Sequence, residues 1–175
     1  MTKQKDGKII IELDDQELEE VKKKKEKTIR VLVFSLGGEN YCVGIADTKE
    51  VIRPPDITRV PMAPEFVVGI INLRGEIISI LDIRHFFGLS VKEKTKDMRV
   101  IISDVTGSAI GIMADEVKDT IEIEESVIQP PISTLKGRLA EYTKGQTRVG
   151  KDILILLDLG KILKCEEIEN LRKGE

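Results

Sequence analysis

The chain has 175 residues, enough to form one domain or two small, closely packed subdomains around a hydrophobic core. Hydrophobic residues make up 41% of the chain and aromatic residues only 3%, so that core must consist mainly of Ile, Val and Leu, and such a composition favours β-sheet. The 28 basic and 31 acidic residues give a net charge of −3, which offers no basic face for nucleic acid.

Residues 1–28 are predicted to form a charged, flexible arm, because acidic residues are followed there by a run of lysines and apolar anchors are few. Pairs such as Glu19 and Lys23, four residues apart, can support a helix within it. No apolar stretch in the chain is long enough for a signal peptide or a membrane span. We therefore expect a cytoplasmic protein.

From residue 29 the sequence predicts short strands separated by glycine and proline. Ile29–Leu36 predicts a strand, a Gly-Gly pair predicts a hairpin turn, and Tyr41–Ala46 predicts the returning strand. Ile57–Val60 predicts a further short strand. Cys42 falls inside the returning strand and forms no CxxC pair with Cys165, so we expect it to be a small buried apolar residue without a redox role.

The stretch from Val67 to Gly88 is the most ordered apolar part of the sequence. It predicts a strand ending in NLRG, a second strand over Ile77–Ile83, and a short helical turn around His85. Gly75 permits a tight turn with positive φ. That turn places Arg74 at the end of a strand, where its guanidinium can reach solvent while its neighbours pack.

The strand pattern of the first half returns in the second half, which indicates two similar structural units. Gly44 returns 67 residues later as Gly111 (111 − 44 = 67), and Asp82 returns 76 residues later as Asp158 (158 − 82 = 76). The difference places about nine extra residues in the second copy, most plausibly in the acidic segment Ile121–Ser126. Each copy fits a small β-barrel, so we expect two barrels packed together with a groove between them.

Both repeated aspartates end an apolar strand just before a predicted helix. A carboxylate in that position can accept backbone N–H bonds as an N-cap, and we favour this structural role over acid–base catalysis. After Asp158, apolar residues at helical spacing predict one amphipathic helix that runs to Leu171 and closes the fold.

The sequence contains no catalytic motif. It lacks a phosphate-binding loop, a dinucleotide fingerprint and HExxH, and its single histidine, His85, has no Cys or second His beside it. A small hydrolase-like enzyme would need Asp82, Asp158 and His85 to converge, whereas the repeat places the two aspartates in separate barrels. We therefore expect a protein without enzymatic activity, cofactor or metal.

Arg74 is a candidate for recognition because the scaffold does not require it. The second copy has Gly150 at the equivalent position, 76 residues later (150 − 74 = 76). The alternative is a solvated turn residue without a partner. Glu50 follows the first hairpin on the same unit, and it can pair either with Arg74 or with a binding partner.

Taken together, these residues resemble the CheW family, the coupling proteins of bacterial chemotaxis. The matching segments run in family order over residues 29–165: VLVFSLGGENYCVGI with Glu50 downstream, PEFVVGIINLRGEIISILDIR, IGIMADEV and DILILLDLGKIL. The most specific is NLRG followed by an apolar strand ending in Asp, Ile or Leu, and Arg. The resemblance implies a mainly β fold of two SH3-like five-stranded barrels with short connecting helices, between the arm (1–28) and a C-terminal helical tail (166–175).

By the same resemblance, the protein is a non-enzymatic adaptor that bridges the cytoplasmic hairpin tip of a chemoreceptor to the regulatory domain of the histidine kinase CheA. It would be recruited to membrane-associated receptor arrays without inserting into the membrane, with other CheW-like domains in rings as further partners. The family contacts receptors in the groove between the barrels, and the matching positions are Glu50, Arg74, Thr48, Arg99, Ile110 and Val117. Kinase contact uses barrel ends. An adaptor of the CheV type is the alternative, but the chain shows no receiver region.

Overall fold

The computed structural model describes residues 2–5, 8–11, 14–17 and 27–173. It is mainly β, as predicted. The strands are β1 (Thr2–Lys5), β2 (Lys8–Ile11), β3 (Thr28–Leu36), β4 (Glu39–Gly44), β5 (Glu50–Ile52), β6 (Val67–Leu73), β7 (Glu76–Leu81), β8 (Arg99–Ser103), β9 (Ile110–Ala114), β10 (Glu116–Glu124), β11 (Thr143–Val149) and β12 (Asp152–Leu157). The α-helices are α1 (Arg84–Phe87), α2 (Gly137–Glu141), α3 (Leu159–Leu163) and α4 (Glu166–Lys173).

Two five-stranded sheets form the body of the protein. Sheet 1 has the order β10-β3-β4-β12-β11, and sheet 2 has the order β5-β8-β9-β7-β6. The two orders correspond strand by strand, so the sequence repeat is a real structural repeat. The extra length of the second copy lies mainly in β10, which has nine residues where its counterpart β5 has three.

Neither sheet is built from one copy of the sequence repeat, so the expectation of one barrel per copy is wrong. In sheet 1, β4 from the first copy pairs in parallel with β12 from the second, with Tyr41 opposite Ile155. In sheet 2, β7 from the first copy pairs in parallel with β9 from the second, with Ser79 opposite Ile110. The exchange follows from a short crossing: Asp115 alone separates β9 in sheet 2 from β10 in sheet 1.

Three apolar clusters hold the sheets together. The largest, called here the shared core, takes buried side chains from both sheets, including Phe34 and Tyr41 from sheet 1 and Leu81 and Ile112 from sheet 2. A second cluster belongs to sheet 2 and a third to sheet 1. Cys42 is in the third cluster and has no exposed surface, which confirms its predicted apolar role.

A pair of backbone hydrogen bonds links the two ends of each strand order. Thr58, in the segment after β5, exchanges bonds of 2.9 and 2.8 Å with Ile70 of β6. Gln129, in the segment after β10, exchanges bonds of 2.8 and 2.9 Å with Gln146 of β11. The two ends of each sheet are therefore tied in the same way.

A glycine permits the close approach at each of these links. Gly69 and Gly145 are 76 residues apart (145 − 69 = 76), and each lies at a break in the register of its hairpin. A Cβ atom would lie 2.4 Å from the carbonyl oxygen of Thr58 in the first case and 2.7 Å from that of Gln129 in the second. Any larger residue would push the linked segment away.

Some predicted elements differ in extent from the observed ones. The strand predicted over Tyr41–Ala46 ends at Gly44 and continues as a 3₁₀ turn over Ile45–Asp47. Of the strand predicted over Ile57–Val60, Thr58 alone makes a β-bridge. The bridge with β6 therefore takes the place of a full strand.

The C-terminal helix is divided in two. Asp158 accepts a hydrogen bond of 3.0 Å from the backbone N–H of Lys161, which confirms its predicted role as an N-cap. The helix that it starts, α3, ends at Leu163, and α4 begins after Cys165. The apolar spacing that predicted one long helix is met by two short ones, both of which bury residues in the shared core.

The N-terminal arm contains a small sheet that the sequence analysis did not predict. β1 and β2 pair in antiparallel fashion, with Thr2 opposite Ile11. The predicted helix pair of Glu19 and Lys23 lies outside the described residues. No helix among the described residues combines the length and apolarity needed to cross a membrane.

Candidate functional site

The turn that joins β6 to β7 has an unusual backbone. Arg74 and Gly75 have φ angles of 53° and 86°, so both central residues of this two-residue turn are left-handed. Turns of this kind match the twist of the flanking strands. The side-chain oxygen of Asn72 accepts the backbone N–H of Gly75 at 2.9 Å and fixes the turn. The positive φ predicted at Gly75 is confirmed, and Arg74 shares it.

Arg74 and Glu50 form a two-pronged ion pair across sheet 2. Nη1 and Nη2 of Arg74 donate to Oε1 and Oε2 of Glu50 at 2.7 and 2.9 Å. Glu50 lies on the edge strand β5, so the pair reaches from the hairpin to the opposite end of the strand order. Hydrogen bonding to Arg74 lowers the pKa of the Glu50 carboxyl. Of the two sequence-based alternatives, pairing of the two residues is the one observed.

A second ion pair runs beside the first. Lys49 Nζ lies 4.0 Å from Oε2 of Glu76, and it joins the residue before β5 to the first residue of β7. Lys49, Glu50, Arg74 and Glu76 together are called the charged ridge below. The side chains of Arg74 and Glu50 are 72% and 23% exposed, so the cation is the more accessible member of their pair.

The other residues implied by the family resemblance occupy different settings. Thr48 lies directly before the ridge, and its hydroxyl donates to the Gly44 carbonyl oxygen at 3.3 Å. Arg99 donates through Nη1 to the carbonyl oxygens of Lys96 and Met98 at 3.0 and 2.8 Å, so its guanidinium holds its own loop.

Two of the implied residues belong to the shared core or its margin. Ile110 is only 5% exposed and packs within that core, so its side chain presents almost no surface to a partner. Val117, on β10 of sheet 1, is partly buried against the same core. Among the implied positions, the structure therefore brings together Thr48, Glu50 and Arg74.

A buried charge network was missed by the sequence analysis. Arg84, with a side chain 3% exposed, donates to both carboxylate oxygens of Asp82 at 2.8 and 2.7 Å and to Oδ1 of Asp115 at 2.7 Å. Asp115 also accepts the backbone N–H of Gly37 at 2.8 Å. Because these residues come from both sheets and from the crossing between them, the network fixes how the sheets meet.

This network corrects the role expected for Asp82. Its carboxylate accepts the backbone N–H of Arg84 at 3.1 Å, but its principal partner is the Arg84 guanidinium rather than the start of a helix. Hydrogen bonding to Asp82 is the main cause that raises the pKa of Arg84. The signal in the sequence was a pair of opposite charges two residues apart, flanking a fully apolar position at the end of a strand.

The three residues required by the enzyme alternative do not form one site. Asp82 is held by Arg84, Asp158 caps α3, and the two aspartates line different clefts. Within the described part of the chain, no group of three or more His, Cys, Asp or Glu side chains is placed to hold a metal ion. The geometry favours a surface for recognition over a catalytic centre.

Comparisons with known proteins agree with this description. A chemotaxis protein CheW of Treponema pallidum is 32% identical over 83% of this chain and 88% of its own length. A chemotaxis protein CheW of Klebsiella aerogenes is 33% identical over 82% of this chain and 88% of its own length. The crystal structure of the scaffolding protein TtCheW from Thermoanaerobacter tengcongensis superposes with a TM-score of 0.72 at 33% identity, covering 82% of this chain and 93% of that one.

The family model that matches the chain describes a CheW-like domain, and it covers residues 30–167. That range contains both sheets, the charged ridge and the buried Arg84 network. The chain belongs to the CheW-like domain family.

Proposed function

We propose that the chain is a non-enzymatic chemotaxis adaptor that couples the cytoplasmic tips of chemoreceptors to the histidine kinase CheA. The carrying observation is that Arg74 is kept exposed in a left-handed turn, where the equivalent turn of the other sheet has glycine. The relatives are named chemotaxis and scaffolding proteins, which supports this class of function.

A left-handed backbone at a residue with a side chain points to a function for that side chain. This conformation costs an ordinary residue about 1–2 kcal/mol, whereas glycine adopts it freely. Strain of this kind persists mostly where it is part of a functional site. The strained position here carries the most exposed group of the charged ridge.

The ion pair with Glu50 prepares Arg74 for a further partner. A guanidinium has five N–H groups, and Glu50 takes two of them, which leaves three for a carboxylate or carbonyl of a receptor helix. Because Glu50 already restricts the long side chain, less conformational entropy is lost when a receptor binds. Glu50 is thus a positioning residue for Arg74.

Apolar side chains beside the ridge would provide contact area for the receptor. Val51 is 37% exposed and follows Glu50, and Ile77 is 60% exposed and follows Glu76. A helical hairpin laid against this surface would gain affinity from the apolar contacts and register from the charges. In this proposal Thr48 and Val117 extend the contact surface, Ile110 supports it from the core, and Arg99 shapes the adjoining loop.

The proposal is tested by co-sedimentation of the full chain with receptor-containing membranes and CheA, with kinase activity as the readout. Arg74→Ala should reduce sedimentation and kinase activation by about tenfold or more. Arg148→Ala is the matched control, because Arg148 is exposed on the equivalent hairpin of sheet 1. Equal retention of the two variants, or no kinase activation by the wild-type chain, would contradict the proposal.

A further inference from the structure

A second surface, distinct from the charged ridge, lies on sheet 2. A cleft of about 580 Å³ opens between the segment after β5, helix α1 and the loop before β8. Apolar side chains line it, including Ile57, Val67, Val68, Met98 and Met113. The four residues of the ridge are absent from its lining, so the two surfaces can be tested independently.

The charged residues at this cleft are mostly cations. Arg59, Lys92 and Lys94 are exposed at it, and the salt bridges observed among the described residues involve none of the three. Of the two carboxylates that line it, Asp82 is already bound by Arg84, which leaves Glu65. The cleft is therefore basic in a chain whose net charge is −3.

Exposed apolar residues surround the mouth of the cleft. Val60 and Val91 line it and are 40% and 56% exposed. Met62, between two lining residues in the sequence, is fully exposed and has a φ of 60°. A positive φ is uncommon for a residue with a long side chain. Exposed apolar side chains grouped at a cleft mark interaction surfaces more often than singly scattered ones do.

We infer that this cleft binds an acidic peptide segment of a partner protein. Apolar side chains of the segment would enter the cleft, and its carboxylates would contact Arg59, Lys92 and Lys94. The charge of the rim selects an acidic ligand. The apolar walls select a peptide over a free anion, because a small anion would leave them in contact with water. The inference does not depend on the receptor role proposed for Arg74.

The test measures fluorescence anisotropy of a fluorescein-labelled peptide of alternating glutamate and leucine, titrated with the full chain. Saturable binding is expected, and the double variant Arg59→Glu/Lys92→Glu should weaken it by about tenfold or more, since each change turns an attraction into a repulsion. Lys96→Glu is the matched control, because Lys96 is exposed on the same loop but does not line the cleft. Val60→Ser/Val91→Ser should also weaken binding.

Several results would overturn the inference. One is equal binding of the double variant and the Lys96→Glu control, with both folded by circular dichroism. Another is complete competition by inorganic phosphate or by phosphatidylserine vesicles, which would assign the cleft to a free anion or a membrane surface. Tighter peptide binding after deletion of residues 1–26 would identify the chain's own acidic segment as the occupant. Arg74→Ala should leave peptide binding unchanged, which separates this test from that of the adaptor role.

Discussion

Arg74 and Gly150 occupy equivalent positions in the two hairpins of the repeat, and both have left-handed backbones, with φ angles of 53° and 62°. Glycine adopts this conformation without steric cost, whereas arginine does not. The fold therefore needs the conformation in both sheets and the side chain in neither. The presence of an arginine in sheet 2, held by Glu50, is best explained by recognition rather than by stability.

Replacing Arg74 with glycine should make the protein more stable and less able to bind receptor. The substitution relieves the left-handed backbone, while the lost ion pair is exposed and contributes little. We expect the thermal midpoint to rise by about 2–4 °C, the shift expected for relief of roughly 1 kcal/mol in a chain of this length. Differential scanning calorimetry measures the shift, and receptor co-sedimentation measures the loss of binding.

Arg74→Ala is the comparison that separates backbone from side chain. Alanine keeps the left-handed strain and loses the ion pair, so its thermal midpoint should equal that of the wild type or fall slightly below it. Both variants should lose receptor binding to the same degree. A glycine variant less stable than the alanine variant would show that the backbone at residue 74 is not strained.

Gly145→Ala should destabilise the protein by about 2 kcal/mol or more. The new Cβ atom would lie 2.7 Å from the Gln129 carbonyl oxygen, which belongs to the backbone and cannot move without opening the link to β11. Gly107→Ala is the control, because a Cβ there meets nothing within 4 Å and the cost is that of its φ of 77° alone. Urea unfolding measures both, and a smaller loss for Gly145→Ala than for Gly107→Ala would refute the argument.

The local structure was largely predictable because its signals are local. Runs of β-branched residues between glycine and proline predicted the principal strands, and comparison of the two copies singled out Arg74 against Gly150. The exchange of strands between the sheets was not predictable in this way, since the pairing of Tyr41 with Ile155 joins residues far apart in the chain. Strand pattern predicts that a strand forms but not which strand lies beside it.

The parts of the site that were missed depend on contacts distant in sequence. Arg84 follows a strand and has the composition of a surface residue, but Asp115, 31 residues later, makes its burial possible. β1 and β2 were overlooked because charge dominates the arm as a whole. The dipeptide Asp6-Gly7 before the Ile9–Ile11 run was the available hairpin signal in the sequence.

Arg84→Met should be strongly destabilising. It leaves Asp82, which is 3% exposed, without its partner, and removal of one member of a buried ion pair typically costs about 3–5 kcal/mol. The double variant Asp82→Asn/Arg84→Met should recover much of that loss, because no uncompensated charge is then left at residue 82. Urea unfolding of the single and double variants measures the coupling. A single variant within about 1 kcal/mol of the wild type would mean that the network does not stabilise the fold.

The protein should lose stability in alkali, and Cys42 should account for a measurable part of the loss. Burial raises the pKa of the Cys42 thiol from 9.0 to about 12, and burial raises that of Tyr41 from 10.0 to about 12. Between those values the unfolded chain releases protons that the folded chain retains, so the free energy of unfolding falls as pH rises. Each group contributes a slope of about 1.4 kcal/mol per pH unit in that range. Urea unfolding at pH 8, 9, 10 and 11 should therefore give a shallower decline for Cys42→Ala than for the wild type, and identical declines would show that the thiol ionises as readily in the folded protein as in the unfolded one.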